Sequence, residues 1–322
     1  MYEVESAAMS NKNLLFVVNP VAGNGLSSAD REDLRRVEKT FSHFGNQVDV
    51  VETNAPEHAT DIARDAVSSQ ADAIVVVGGD GTLNEVMQAT VGSEMAVATI
   101  PTGLFNVWAN EMGIPKDMER ASQQIIGGST VKTVDVGSIN GKVFLQFANL
   151  GFDSEQYMKV HKPYTERKHG AAATFAQTFA RSMLEGWVYR GHPATVMRAN
   201  TEQYLHNMLI GVISNSRKYG VLTLNKDTII DDGKLETTFF EGRLGPQFLA
   251  QFAQVIAGRE HVPGLKRGQI DRNEVMSIQS EDLIGITIDG NPMGYSDTIV
   301  VNAIPSSQKV IVPDIDQRLF KH

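Results

Sequence analysis

Ala73-Ile-Val-Val-Val-Gly-Gly-Asp-Gly-Thr-Leu-Asn-Glu-Val-Met87 reads as an apolar strand, a turn with three glycines around one aspartate, and the start of a helix. The run Ile74 to Val77 is short, β-branched and uninterrupted, as expected of a strand covered on both faces of a parallel sheet. Gly78, Gly79 and Gly81 are expected to use positive φ and to let the backbone approach a ligand with no Cβ in the way. Thr82 is expected to cap the following helix, whose first N–H groups would face an anion. The loop is not a G-x-x-x-x-G-K-[ST] phosphate loop, and no lysine occurs between Val75 and Ile114. An acidic Asp80 beside phosphates is therefore expected to work through Mg²⁺ or a metal-bound water. The alternative is a tight turn in which Asp80 bonds its own backbone.

Working outward, Asn13 to about Val136 alternates strand and helix. Strands are expected at Leu14–Val18, Gln47–Val51, Ile74–Val77 and Ala96–Ile100, and helices at Ser27–Phe44, Pro56–Val67 (entered through Thr53 and Asn54) and Thr82–Thr90. This order implies an α/β domain with a parallel sheet and a ligand site at the carboxyl ends of its strands. Asn19, Gly79 and Thr102 all follow strands. Beyond Thr133, short runs at Val143–Phe147, Leu209–Ser214, Leu235–Phe240 and Ile284–Ile288 lie between Gly, Asn and Asp turns and read as antiparallel strands. Helices are expected at about Ala171–Trp187, with Phe175, Phe179, Met183 and Trp187 on one face, and at Pro246–Ala257.

The 322 residues suit two domains, and 42% hydrophobic with 21% charged residues describes an ordinary globule. A formal net charge of −9 argues against nucleic acid as the main partner. There is no cysteine, which excludes disulfides, thiolate metal sites and cysteine nucleophiles. The first apolar run, Leu14–Val18, is too short for a signal-peptide core, and no stretch approaches the roughly 20 apolar residues of a spanning helix. The expectation is a cytoplasmic protein that meets lipid, if at all, peripherally at the inner membrane face. The eight histidines show no zinc-binding spacing. Two basic clusters, His161, Lys162, Arg167, Lys168 and His169, and Arg259, Lys266, Arg267 and Arg272, read as solvated faces; they are also the best candidates for touching anionic headgroups.

Gly78-Gly-Asp-Gly-Thr-Leu-Asn-Glu-Val86 resembles the signature of the diacylglycerol kinase, sphingosine kinase and NAD kinase superfamily, in its bacterial lipid kinase branch. Val18-Asn19-Pro20 with Ala22-Gly23 resembles its N-P-x-x-G element, and Ile100-Pro-Thr-Gly103 with Asn106 its P-x-G-T-x-N segment. Asn149-Leu-Gly-Phe-Asp153 is similar to its G-F-D motif, Asp231-Asp-Gly-Lys-Leu235 to D-D-G-x-L, and Asp289-Gly290 to D-G-E. Two positions depart: Leu104 stands where the family has threonine, and Asn291 where it has glutamate.

The resemblance implies a nucleotide-binding catalytic domain over 1–133, completed by 306–322, and a β-rich lipid-substrate domain over 134–305. It implies an ATP- and Mg²⁺-dependent kinase acting on a lipid hydroxyl, of diacylglycerol, a sphingoid base, ceramide or a related lipid. NAD kinase-like activity and a catalytically weak lipid- or nucleotide-binding regulator are the alternatives. Implied nucleotide contacts are Asn19, Gly78, Gly79, Asp80, Gly81, Thr82, Glu85, Thr102, Gly103 and Asn106. Asp289 is implied as the base, with Asp80 beside it in catalysis. Alone, Asp289-Gly290 would read as a hairpin turn. Asp231 and Asp232 fit a metal site or a turn equally well. Asp135 and Asp153 belong to the resemblance, and each alone would pass as a solvated loop carboxylate. The partner implied is a membrane lipid met at the surface, with homo-oligomerisation left open.

Overall fold

The computed structural model describes residues 9–69, 71–160, 189–199, 201–219, 222–243, 245–259, 261–314 and 319–320. The expected aromatic helix near 171–187 and the basic cluster from His161 to His169 lie outside them. The chain divides into two compact units. Within the described residues, 9–134 with 306–314 form one, and 135–305 with 319–320 the other.

The first unit runs β1 (Asn13–Val18), α1 (Ser28–His43), β2 (Gln47–Glu52), α2 (His58–Val67), β3 (Ala73–Gly78), α3 (Asp80–Thr90), β4 (Ala96–Pro101), α4 (Val107–Glu111) and α5 (Met118–Gly127). β1 pairs in parallel with β2 and with β3, and β3 in parallel with β4. Lys309 and Val310, late in the chain, add a further parallel pairing beside β4. Every residue of β3 and β4 is buried, which is why these strands read as continuous apolar runs without alternation. The register sets Val18 beside Val77, and Val77 beside Ile100, so the turns after β1, β3 and β4 emerge together at the carboxyl edge.

Local chemistry explains the helix starts. α1 opens with a capping box between Ser27 and Asp30 and buries Leu34, Val37 and Phe41 on one stripe. Phe41 meets Phe16 of β1 edge-on at 5.2 Å between ring centroids. α2 begins later than expected, and neither Thr53 nor Asn54 caps it. Its N-cap is Glu57, held left-handed at φ 64° without a side-chain cap bond of its own.

The second unit contains the end of β5 (Ser129–Ile139), β6 (Lys142–Phe144), β7 (Phe147–Gly151), α6 (Phe152–Val160), β8 (His192–Arg198), β9 (Thr201–Ser214), β10 (Lys218–Tyr219), β11 (Leu222–Thr223), β12 (Leu235–Glu241), α7 (Pro246–Ile256), β13 (Leu265–Ile270), β14 (Val275–Ile288) and the first part of β15 (Asn291–Pro313). β7 pairs antiparallel with β9 and β14, β9 with β8 and β12, and β12 with β13. Its core includes Phe144, Leu150, Met208, Ile213, Phe239, Met276 and Ile286. The single strand expected at Val143–Phe147 is broken: β6 ends at Phe144 and β7 begins at Phe147. The break has a tertiary cause in Asp289, described below.

Candidate functional site

In the first unit, the expected nucleotide residues meet at the carboxyl edge of β1, β3 and β4. The Asn19 amide donates to Thr82 Oγ1 at 2.8 Å, and the Asn19 N–H to Val77 O at 2.9 Å. The Thr102 N–H donates to Gly78 O at 2.9 Å. Three turns, 19–26, 78–82 and 102–106, are thereby tied to one another. Gly78, Gly79, Asp80, Leu83, Thr99, Pro101, Asn106, Trp108 and Ala109 line one depression there.

The glycines are needed for a different reason than expected. Gly78, Gly79 and Gly81 are not among the positive-φ glycines. They permit close packing within the chain. A Cβ on Gly103 would stand 2.4 Å from Gly79 Cα, and one on Gly78 would stand 2.8 Å from Thr82 Cβ. In the 19–26 turn Gly23 and Gly25 do have positive φ, +60° and +80°, and a Cβ on Gly23 would stand 2.6 Å from Thr102 O.

α3 starts two residues earlier than expected, with Gly79 as N-cap and no side-chain cap. Thr82 therefore sits in the first turn, its hydroxyl engaged by Asn19. First-turn N–H groups lie outside the helix's own hydrogen-bond ladder, and the dipole favours an anion at this end.

Asp80 has an account that needs no cation. Its Oδ2 accepts from the Val107 N–H at 3.0 Å and its Oδ1 from the Trp108 N–H at 3.1 Å, so the carboxylate sits on the N-terminus of α4. Glu85, implied as a nucleotide contact, is likewise turned to protein. Burial pushes its carboxyl up, against the N–H groups of Glu57 and Ala59, which stabilise its charge. That places it over the start of α2 and supplies the cap that Glu57 lacks.

Two buried polar atoms at this edge have no hydrogen-bond partner, Thr102 Oγ1 and Asn106 Oδ1. Asn106 is left-handed at φ 48° and donates its amide to Gly103 O at 2.9 Å. A buried hydroxyl and amide oxygen without partners cost about 1 to 3 kcal/mol each. The Thr102 hydroxyl can donate to a phosphate oxygen, whereas Asn106 Oδ1 only accepts and calls for a hydroxyl, an amino group or a water; a nucleotide at the head of α3, with its phosphates, ribose hydroxyls and bound waters, offers both kinds of atom. Leu104 and Phe105 are partly exposed in the same turn. Thr102→Val is the direct check. Removing an unpartnered hydroxyl at constant volume should leave thermal stability unchanged or raised, while weakening Mg²⁺-ATP binding by about tenfold if the hydroxyl contacts the nucleotide. Unchanged affinity by calorimetric titration would take Thr102 out of the site.

In the second unit, Asp289 is both the hairpin residue that Asp-Gly suggested and a buried clamp. It sits between β14 and β15 at φ 42°, followed by Gly290 at φ 83°, and is 1% exposed. Its Oδ2 accepts from the Leu145 N–H at 2.6 Å, and its Oδ1 from the N–H groups of Gln146 and Phe147, each at 3.0 Å. These bonds hold the turn that interrupts the expected strand at 143–147.

Asp135 is not a solvated loop carboxylate: it lies within β5 with no exposed surface, and its Oδ2 accepts from the Gly233 N–H. Asp232 Oδ1 accepts from the Lys234 N–H at 3.0 Å, as in an Asx turn. The Asp231-Asp232-Gly233 turn is thus anchored from beneath by Asp135. Among the described residues, no three His, Cys, Asp or Glu side chains stand together as a cation site.

Asp153, also read as a loop carboxylate, begins α6. Its Oδ2 accepts from the Tyr219 hydroxyl, and its Oδ1 is buried with no hydrogen bond. Burial pushes this carboxyl up to about 7, against the Tyr219 bond, and pushes the Tyr219 phenol well above its ordinary value. A further cluster escaped sequence reading. Tyr189 donates to Glu155 Oε1, with His192 Nε2 at 2.9 Å from both, and the hydrogen bond that the Glu155 carboxylate accepts pushes the His192 imidazole up. The partners are 34 and 37 residues apart, so no local pattern announces them.

Comparison with known proteins finds relatives of one kind. The diacylglycerol kinase catalytic domain matches residues 13–139. A diacylglycerol kinase of Mycobacterium tuberculosis is 27% identical over 256 residues, 75% of this chain and 77% of that protein. The protein named "Probable lipid kinase YegS-like" in Klebsiella pneumoniae is 23% identical over 288 residues, 88% of this chain and 93% of its own. A Bacillus subtilis diacylglycerol kinase is 30% identical over 143 residues, and there the match spans 46% of the relative's length. A crystal structure of a diacylglycerol kinase from Bacillus anthracis superposes with a TM-score of 0.69 at 18% identity, covering 94% of this chain and 97% of that one. The family match covers most of the first unit, with its glycine loop, and the relatives aligned along most of the chain are named diacylglycerol and lipid kinases, so the chain is similar to the bacterial lipid kinases of the diacylglycerol kinase superfamily.

Proposed function

We propose that this protein is a kinase that transfers the terminal phosphoryl group of ATP to the hydroxyl of a membrane lipid. The observation that carries the nucleotide half is the pair of unpartnered buried atoms, Thr102 Oγ1 and Asn106 Oδ1, at a glycine-lined edge beside the head of α3. The lipid half rests on the relatives: the proteins aligned over most of the chain carry lipid kinase names.

In this reading Asn19, Gly78, Gly79, Asp80, Gly81, Thr82, Thr102, Gly103 and Asn106 form the nucleotide side. ATP would supply the phosphoryl group, and Mg²⁺, keeping most of its waters, would ride on the phosphates rather than in an all-protein cage. Backbone N–H groups at the head of α3 orient the phosphate end. Asp80 fixes α4, and through it Asn106, so that the turn after β4 stays shaped for the ligand. Asp289 is assigned as the group that takes the proton from the acceptor hydroxyl. Asp231 and Asp232 act chiefly as a turn. Diacylglycerol is the first acceptor to try; sphingoid bases and ceramide follow.

The test is a radiolabel-transfer assay with Mg²⁺-ATP against those lipids and NAD, with products partitioned between organic and aqueous phases. Label in the organic phase supports a lipid kinase. Label carried by an aqueous NAD product would replace it with NAD kinase-like activity. ATP binding with no label transfer would favour the weak regulator suggested by Leu104 and Asn291. Gly81→Asp makes the control, since an acidic residue in the first turn of α3 suits the helix dipole but repels phosphate. It should keep the fold by circular dichroism and lose label transfer. Full activity in that variant would remove the head of α3 from the site.

A further inference from the structure

α7 and its flanks form a surface whose chemistry nothing above uses. The stretch Leu244-Gly-Pro-Gln-Phe-Leu-Ala-Gln-Phe-Ala-Gln-Val-Ile-Ala-Gly258 contains no charged residue, in a chain with 67 of them (29 basic and 38 acidic). One face of the helix is spent on the fold. Phe248, Gln251 and Val255 are buried, Phe248 and Phe252 pack on Phe240 of β12, and the Gln251 amide donates to the carbonyls of Glu241 and Pro263. The opposite face is Pro246, Leu249, Ala250 and Ala253, at spacing i, i+3, i+4 and i+7, and all four are exposed, Leu249 by 53%. An uncharged, leucine-bearing face on a surface helix is unusual, because such helices normally turn polar residues to water.

Both ends of that face carry exposed cations. Arg243 precedes the helix, and its backbone bridges to that of Arg190. Arg259 follows the helix, and the Lys226 ammonium stands 2.6 Å from where a Cβ on Gly258 would lie. The acidic neighbour Glu241 is turned to β9, accepting from the His206 N–H at 2.8 Å; among the described residues Asp227 is a further carboxylate, next to Lys226 in sequence, and Glu260 follows Arg259 in the sequence. An apolar face with arginine or lysine at each end matches an interfacial helix lying in the headgroup plane of an anionic bilayer. A second copy of the chain fits less well, because an antiparallel two-fold pairing of α7 would set the Arg243 end against the Arg259 end, cation against cation.

We infer that α7 is the element by which this protein docks on anionic membrane, its Leu249 face entering the headgroup layer and Arg190, Arg243, Lys226 and Arg259 meeting lipid phosphates. The inference rests on the lipid kinase reading, since it says how such an enzyme reaches an acceptor held in a bilayer on a chain of net charge −9. The experiment is co-sedimentation of the full chain with vesicles of phosphatidylglycerol and phosphatidylcholine, against vesicles of phosphatidylcholine alone. In parallel, phosphorylation is measured on vesicle-embedded lipid and on a short-chain lipid dissolved as monomers.

Wild type should bind the anionic vesicles and be released by about 0.5 M salt. Leu249→Glu, which keeps a helix-favouring residue on an exposed position, should bind about tenfold more weakly. The double variant Arg243→Ala with Arg259→Ala should lose most of the salt-sensitive part. Leu249→Glu should turn over the dissolved lipid like wild type but the embedded lipid at least several-fold more slowly. Vesicle binding unchanged in both variants overturns the docking surface even if the kinase is active. Binding that follows these expectations in a protein that phosphorylates no lipid keeps the surface and sinks the kinase. A dimer that Leu249→Glu dissociates, with no vesicle binding by wild type, overturns the proposal in favour of a second copy.

Discussion

Asp289→Asn is expected to do two separable things: to weaken the fold of the C-terminal unit and to remove most of the turnover. The first follows from the clamp. The carboxylate accepts three backbone N–H bonds, from Leu145, Gln146 and Phe147, at a position 1% exposed. An amide has one acceptor oxygen, so whichever way it turns, at least one buried N–H faces an NH₂ group instead of an oxygen. Loss of a charge-assisted bond and stranding of a buried donor together cost about 3 kcal/mol. That would lower a thermal midpoint by roughly 10 °C for a unit of this size. The second effect follows from the proposed role as base, whose removal should lower kcat by about 10²-fold. Turnover measured near 10 °C, where both proteins are folded, separates the two. A variant with the lower midpoint but normal kcat would leave Asp289 as a structural clamp only. Lost turnover with lost Mg²⁺-ATP affinity would move the residue to the nucleotide side.

Asp153→Asn should stabilise the protein above neutral pH and leave it unchanged in acid. The Asp153 carboxyl is pushed up by burial to about 7 from 3.8, while the unfolded chain titrates at the ordinary value. Below about pH 4 both states are protonated, and the group contributes nothing. From about pH 4 to 7 the unfolded state releases its proton while the folded state keeps it, so stability falls as pH rises. Above 7 both are ionised, and the whole cost of a buried charge is present, on the order of 4 kcal/mol. Asparagine is neutral throughout and can still accept from the Tyr219 hydroxyl, so its stability curve should lack this descent. Denaturation midpoints at pH 5 and 8 decide it: a difference between variant and wild type that does not grow with pH would mean that Asp153 is ionised in the fold across that range.

These two residues show what was legible and why. β3, the glycine turn and α3 were readable because their determinants are local: a β-branched apolar run, small residues where loops touch, and apolar spacing along the helix. The change of texture after Thr133 was readable for the same reason, since strand alternation and turn residues are short-range signals. The breaks were not. Val143–Phe147 has strand composition throughout, yet it is interrupted by a carboxylate 142 to 144 residues away in the chain.

The carboxylates are where pattern and fold part most clearly. From sequence, Asp80, Glu85 and Asp289 were candidates for cations, nucleotide or protons, Asp231 and Asp232 for a metal or a turn, and Asp135 and Asp153 belonged to the resemblance while each alone would have passed as a solvated loop carboxylate. In the folded chain Asp80 bonds the start of α4, 27 and 28 residues on, and Glu85 faces the start of α2. Asp135 bonds Gly233, 98 residues away, and Asp153 bonds Tyr219, 66 away. The physical reason is shared, with Asp153 differing only in taking a phenol as its donor. A buried carboxylate must find donors, and backbone N–H groups at helix starts and tight turns are the donors a fold has to spare. Which helix start lies within reach is a matter of how distant segments pack. The sequence by itself determined β3, the glycine turn, the course of α3, the change of texture after Thr133 and the resemblance; tertiary structure alone decided which acidic groups are held by the protein and that Thr102 Oγ1 and Asn106 Oδ1 are buried without a partner.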